Sequence, residues 1–144
     1  MQDKIDIAAQ KQALRDRGIC VIIPTYNNAG TICDVVTRSL AQCDDVIVVC
    51  DGCTDNTVAL LENLPEKPVI IDLKKNKGKG TALKEGFRYA LKAGFAYAIT
   101  LDGDGQHFPE DITKFFDAIE NTEEENTLFI GTRNFTSGRG EIPA

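Results

Sequence analysis

Two aspartates separated by one glycine, Asp102-Gly103-Asp104, directly follow the apolar run 97–101. At the end of a buried strand both carboxylates can reach one divalent cation, and Gly103 removes bulk from between them. Hard cations of the Mg²⁺ or Mn²⁺ class prefer oxygen ligands and often share them with phosphates. Gln106 could supply a further oxygen. An Asp-x-Asp pair also occurs as an acidic turn capping a helix, here one starting at Pro109, so spacing alone leaves both readings open. The loop 74–80, Lys-Lys-Asn-Lys-Gly-Lys-Gly, is the second chemical feature. Gly78 and Gly80 let backbone come close to a ligand, and Lys79 offers charge to a phosphate or carboxylate. The loop lacks the glycine spacing of a Walker A motif, and Leu83 stands where the dinucleotide fingerprint needs its third glycine. Its bland alternative is a solvated basic turn. Asp51-Gly52 closes the run 46–50 with a carboxylate that can accept from a base N–H or a ribose hydroxyl, or that simply makes a turn. Arg133 carries a planar fork suited to phosphate, or pairs with the acids at 123–125. His107 reads as a locally hydrogen-bonded residue beside a helix start rather than a general base.

The charge balance constrains what these residues can bind. The 144 residues carry a formal net charge of -6, which argues against a nucleic-acid partner because that would require a basic face. An anionic ligand must then be held by local Lys or Arg, backbone N–H groups or a metal. No apolar run is long enough to cross a bilayer, and the polar start Met-Gln-Asp-Lys-Ile-Asp is not a signal peptide. The five cysteines, Cys20, Cys33, Cys43, Cys50 and Cys53, are odd in number, and two fall in strand-like runs. Such usage fits reduced thiols in a cytoplasmic protein. Cys50 and Cys53 form a CxxC, but a zinc site needs a second pair or histidines, and the single His lies far along the chain. Packing is the better reading of that pair.

Short apolar runs at 19–24, 46–50, 69–73, 97–101 and 128–131 alternate with helical patterns at 31–41, through Val58, Leu61 and Leu64, at 80–93 and from Pro109 onward. Thr54 is the expected N-cap of the second of these helices, and Gly94 the expected stop of the third. A further helix is expected over about 7–17. Alternation of this kind predicts an α/β fold: a mostly parallel sheet covered by helices on both faces, Rossmann-like in its nucleotide-binding half. Ligands of such folds sit at the carboxyl ends of the strands, where every motif above falls. One domain spans 1–144, with 1–18 as an N-terminal helical extension and 134–144 as a mobile loop.

The motifs together resemble the family 2 glycosyltransferases of GT-A fold, and most nearly their branch similar to dolichol-phosphate mannosyltransferases (polyprenyl-phosphate sugar transferases). The resemblance runs from about Ile19 to Arg133 through VIIPTYNN, VVCDGCTDNT, NKGKGTALKEGF, ITLDGDGQHFPEDI and IGTR. It implies that Pro24, Tyr26 and Asp51 hold the nucleoside and that Gly78 and Lys79 border the nucleotide. By the same resemblance Asp102, Asp104 and Gln106 bind the metal and diphosphate, and Arg133 contacts a phosphate. The implied reaction moves a sugar with inversion from a UDP- or GDP-linked donor, with a lipid phosphate as acceptor. An acceptor-side location would put a full-length parent at the cytoplasmic membrane face.

The chain departs from the pattern in three places. Asn28 replaces an acid usual in the branch, and Cys50 replaces the first of two acids before the glycine. No position matches the later acceptor-side Asp, so no catalytic residue is assigned, and C-terminal truncation is expected. A non-catalytic nucleotide-binding module is therefore the alternative. An aspartate-nucleophile phosphatase is the remoter one, since its Asp-x-Asp belongs on a first strand rather than a fourth.

Overall fold

In the computed structural model of the chain, residues 2–105, 109–120 and 129–130 are described. Five strands, β1 (Ile19–Thr25), β2 (Val46–Asp51), β3 (Val69–Leu73), β4 (Tyr97–Thr100) and β5 (Phe129–Ile130), form one sheet in the order β3-β2-β1-β4-β5. All of the pairings are parallel. The helices are α1 (Gln2–Arg17), α2 (Ile32–Leu40), α3 (Thr57–Glu62), α4 (Lys79–Ala93) and α5 (Ile112–Glu120), with a 3₁₀ turn at Pro109–Asp111 leading into α5. The α/β class, parallel sheet and helical cover on both faces match the expectation from sequence.

Side chains alternate across the sheet with the two-residue period of a strand. Val21, Ile23, Val48, Cys50 and Ile99 face a core completed by Leu14 of α1, Val35 and Val36 of α2, Leu61 of α3 and Ile112 of α5. Cys20, Ile22, Ile47, Val49 and Ala98 face the other side, where Ala82 and Ala90 of α4 cover them. The central strands β1 and β2 are buried at every position. Edge strand β3 is not: each of its residues is partly buried or exposed. The run 69–73, apolar apart from Asp72, predicted a doubly covered strand, but the edge position leaves one side without a neighbour.

Chain direction through the sheet reverses beside β1. From β1 the chain moves outward to β2 and β3, then returns through α4 to β4 on the other flank. Such a switch point opens a crevice at the carboxyl ends of the two diverging strands. Helix α1 starts earlier than the expected residue 7, and it is tied to the body by Leu14 and by Gln10 Nε2, which donates to the Gln42 carbonyl at 3.1 Å. Helix α3 begins at Thr57, not beside Thr54. The reason is local: Asp55 Oδ1 accepts from the Thr57 N–H (3.0 Å) and hydroxyl (2.6 Å), while Thr54 Oγ1 is engaged by Asn27 Nδ2 at 3.1 Å.

Candidate nucleotide-binding site

A cavity of about 320 Å³ opens at the switch point, and its wall includes Pro24, Tyr26, Asp51, Gly78, Lys79, Asp102 and Asp104. Residues spread over eighty positions of sequence are thus gathered in one place. Gln106 and Arg133, the remaining site residues expected from sequence, lie outside the described residues, as do His107 and the segment 134–144.

Asp51 ends β2 and is only 3% exposed. Its Oδ1 accepts the Lys77 N–H at 2.8 Å and its Oδ2 accepts the Gly78 N–H at 2.9 Å. Asn76 Nδ2 donates to the Asp51 carbonyl at 3.1 Å. The carboxylate therefore fixes the turn that delivers α4, with charge-assisted bonds to two backbone donors that precede the helix. Gly52 fits the same junction: its φ is +71°, and a Cβ there would lie 2.2 Å from the Asn76 nitrogen. A side chain at position 52 is excluded on both counts.

Asn27 sits in the left-handed region at φ 54°, which Asn tolerates better than most residues. Its Oδ1 accepts from the N–H groups of Thr54 (2.8 Å) and Asp55 (3.2 Å). Asp55 Oδ2 in turn accepts the Ala29 N–H at 3.3 Å. Bonding from the Thr57 hydroxyl, assisted by the Thr57 and Ala29 N–H groups, holds the Asp55 carboxyl below its usual range. The loops after β1 and β2 are thereby laced into one wall. Tyr26 stands on that wall with nearly half of its surface exposed. Asn28 Nδ2 donates to Thr25 Oγ1 at 2.8 Å, so the amide that replaces an acid here braces the end of β1.

Asp102 and Asp104 follow β4 on the opposite wall. Gly103 between them is buried, and a Cβ there would approach Thr25 Oγ1 at 2.9 Å. Its carbonyl accepts the Thr31 hydroxyl at 2.8 Å. The loop is therefore pressed against β1 and α2 while its flanking carboxylates look outward, Asp102 half-buried and Asp104 exposed. Lys79, the first residue of α4, forms an ion pair with Asp102 across the cavity. Behind the loop, Arg38 of α2 donates through Nε to Glu110 Oε2 at 2.9 Å and pairs with Asp34 at 3.2 Å. That bonding depresses the Glu110 carboxyl.

The residues present suit a hard divalent cation. Asp102 already attracts a cationic group, Asp104 borders the same cavity, and a metal of this class is commonly held by one or two carboxylates with phosphates supplying the rest. No cluster of three or more His, Cys, Asp or Glu side chains occurs among the described residues, so a site complete without the ligand is not built here. At the CxxC, burial, reinforced by neighbouring Cys53, pushes the Cys50 thiol up to about 12. Cys53 Sγ accepts the Asn27 N–H at 3.4 Å. Both thiols are built into the packing of the wall, as the sequence suggested.

Residues 20–141 match the family model described as glycosyl transferase family 2. This chain belongs to that family. It is 34% identical over 136 residues to the UDP-N-acetylglucosamine–dolichyl-phosphate N-acetylglucosaminyltransferase of Methanococcus voltae, covering 83% of the chain and 53% of the relative. Polyprenol monophosphomannose synthase of Mycolicibacterium smegmatis is 33% identical over 124 residues, covering 82% and 46%. The resemblance to the polyprenyl-phosphate branch is thus borne out by named relatives. The chain spans about half the length of these curated relatives. Among solved structures, glucosyl-3-phosphoglycerate synthase from Mycobacterium tuberculosis, in complex with UDP, superposes with a TM-score of 0.62 at 22% identity, covering 81% of this chain and 45% of that one. A complex of that enzyme with Mn²⁺, UDP and glucosyl-3-phosphoglycerate gives 0.60 at 20% identity. The fold is therefore that of the GT-A glycosyltransferases.

Asn27, Thr31 and Asn76 were not singled out as site-forming from the sequence. Asn27 left a signal, since Asn-Asn after a strand end favours a left-handed turn residue. Thr31 and Asn76 left none, because their partners lie far away in sequence.

Proposed function

We propose that the chain is the donor-binding part of a transferase that moves a sugar from a nucleoside diphosphate to a polyprenyl phosphate, with inversion at the anomeric carbon. The observation that carries this reading is the convergence of Tyr26, Asp51, Lys79, Asp102 and Asp104 on one cavity at the switch point of the sheet. Relatives named for transfer to dolichyl phosphate or for polyprenol monophosphomannose synthesis, and a fold neighbour seen with UDP and Mn²⁺, support the assignment.

In this reading the exposed ring of Tyr26 offers a face to the base, and Pro24 shapes the end of the strand beside it. Asp51 and Gly78 hold the nucleotide loop in place, and Lys79 reaches the diphosphate from the start of α4. Asp102 and Asp104 hold Mg²⁺ or Mn²⁺, with Gln106 as a further oxygen and Arg133 as a further phosphate contact. The cation, when bound, neutralises charge that develops on the departing diphosphate. Proximity is the chain's own contribution: loops fixed before the donor arrives spare the cost of ordering them afterwards.

Calorimetric titration with UDP, GDP and their sugar conjugates, with and without Mn²⁺, tests the donor site, and Asp104→Asn serves as the control. Metal-dependent binding of one nucleotide, weakened at least tenfold in the variant, is the expected result. A folded chain that binds none of them overturns the assignment. Turnover with an added polyprenyl phosphate then separates a transferase from a module that only binds donor.

A further inference from the structure

This inference deepens the reading of the cavity as a metal-assisted donor site and rests on it. Lys79 and a divalent cation have the same target. The ammonium of Lys79 pairs with Asp102 Oδ1, the first carboxylate of the Asp-Gly-Asp turn, and two cations cannot share that oxygen without mutual repulsion. We propose that Lys79 is a built-in counter-ion that resists a divalent cation arriving alone and yields when cation and diphosphate arrive together.

The placement of Lys79 supports this role. Its backbone has little freedom, because Asp51 binds the N–H groups of Lys77 and Gly78 immediately before it. Asn76 Nδ2 closes the same turn on the Asp51 carbonyl. Its side chain, by contrast, is 60% exposed and stands at the head of a fifteen-residue helix. A fixed root and an exposed tip let the ammonium change partner without moving the loop. Helix starts favour anions through their unbonded N–H groups and dipole. A diphosphate lying against this one is therefore within reach of the same ammonium.

Two binding events then differ in their consequences. A cation entering alone displaces the ammonium from Asp102 and leaves Lys79 with solvent only. A cation entering with a diphosphate displaces the same ammonium onto a new anion. Cation and nucleotide are thereby positively coupled, each tightening the other by the same factor, as linkage requires. In an acidic protein this keeps Asp102 neutralised between binding events and makes metal capture conditional on the donor.

Substitution of Lys79 should therefore move two affinities in opposite directions. The full chain is titrated with Mn²⁺ alone, followed by the paramagnetic resonance signal of free Mn²⁺, and separately with UDP and GDP without metal. Lys79→Gln is expected to bind Mn²⁺ about three- to tenfold more tightly than wild type and nucleotide about three- to tenfold more weakly. Lys79→Arg should retain the wild-type pattern, and Asp102→Asn should lose the tight Mn²⁺ site in either background. A Lys79→Gln variant that binds Mn²⁺ alone no more tightly than wild type overturns the counter-ion role while leaving the donor site standing. Failure of wild type to bind either nucleotide with Mn²⁺ present overturns the donor-site reading instead.

Discussion

Asp51 and Asp102 occupy similar places, the one ending β2 and the other just past β4, yet their surroundings differ completely. Asp51 is buried and spends both oxygens on backbone N–H groups. Asp102 is half-buried and pairs with the ammonium of an exposed lysine. The wall around Asp51 is also laced by Asn27 and Asp55, whereas the described bond holding the Asp-Gly-Asp turn to α2 is that of Thr31 to the Gly103 carbonyl. One wall is tied together by hydrogen bonds between its loops, and the other presents its carboxylates at the cavity. Preorganisation suits the part proposed to recognise a nucleoside. Adjustable charge suits the part proposed to accept both a cation and a diphosphate.

Substitutions can break this comparison. Asp51→Ala should have the largest effect on the fold, lowering unfolding stability by about 3 kcal/mol, because two part-buried backbone donors lose a charged acceptor that is itself buried. Urea denaturation measures it; a loss similar to that of Asp102→Asn would erase the distinction. Gly52→Ala should cost about 2 kcal/mol in the same assay, since a Cβ meets the Asn76 backbone at a positive φ.

Alkaline pH probes the packing beneath the hydrogen-bonded wall. Burial raises the thiols of Cys20 and Cys50 to about 12 and that of Cys43 to about 11, from a reference of 9.0. Above pH 9 the unfolded chain releases these protons and the folded chain retains them. The stability they carry is therefore intact below pH 9 and falls by about 1 kcal/mol per thiol near pH 10. Melting curves from pH 8 to 10.5 should show that fall, and Cys20→Ala should make it shallower. Asp102→Asn is the smallest change for the fold, within about 0.5 kcal/mol in urea, because an ion pair whose lysine is mostly exposed contributes little. Its effect belongs to ligand binding, where metal-dependent nucleotide affinity should drop at least tenfold.

The apolar runs at 46–50 and 69–73 placed β2 and β3 almost to the residue, since strand formation follows local β-branched content. The run 69–73 did not disclose that β3 is an edge, because coverage depends on strand order. The helix of residues 57–62 was legible, but its start was not: Asp55, rather than Thr54, bonds to its first N–H. Asp102 and Asp104 were legible as a pair from spacing alone. Asp51 was legible as a strand-end acid, but its attachment to Lys77 and Gly78 was not.

By itself the sequence determined the element order, the two-faced character of the strands and the chemical types gathered at the strand ends. All of these depend on neighbours a few residues apart. It also carried enough motif to place the chain in its family. Tertiary structure alone decided which carboxylate became a brace and which came to pair with Lys79 at the cavity. Hydrogen bonds and ion pairs depend on distance and direction in space. Asp51 and Gly78, like Lys79 and Asp102, meet only because the chain crosses the sheet through α4 and returns on the far side of β1.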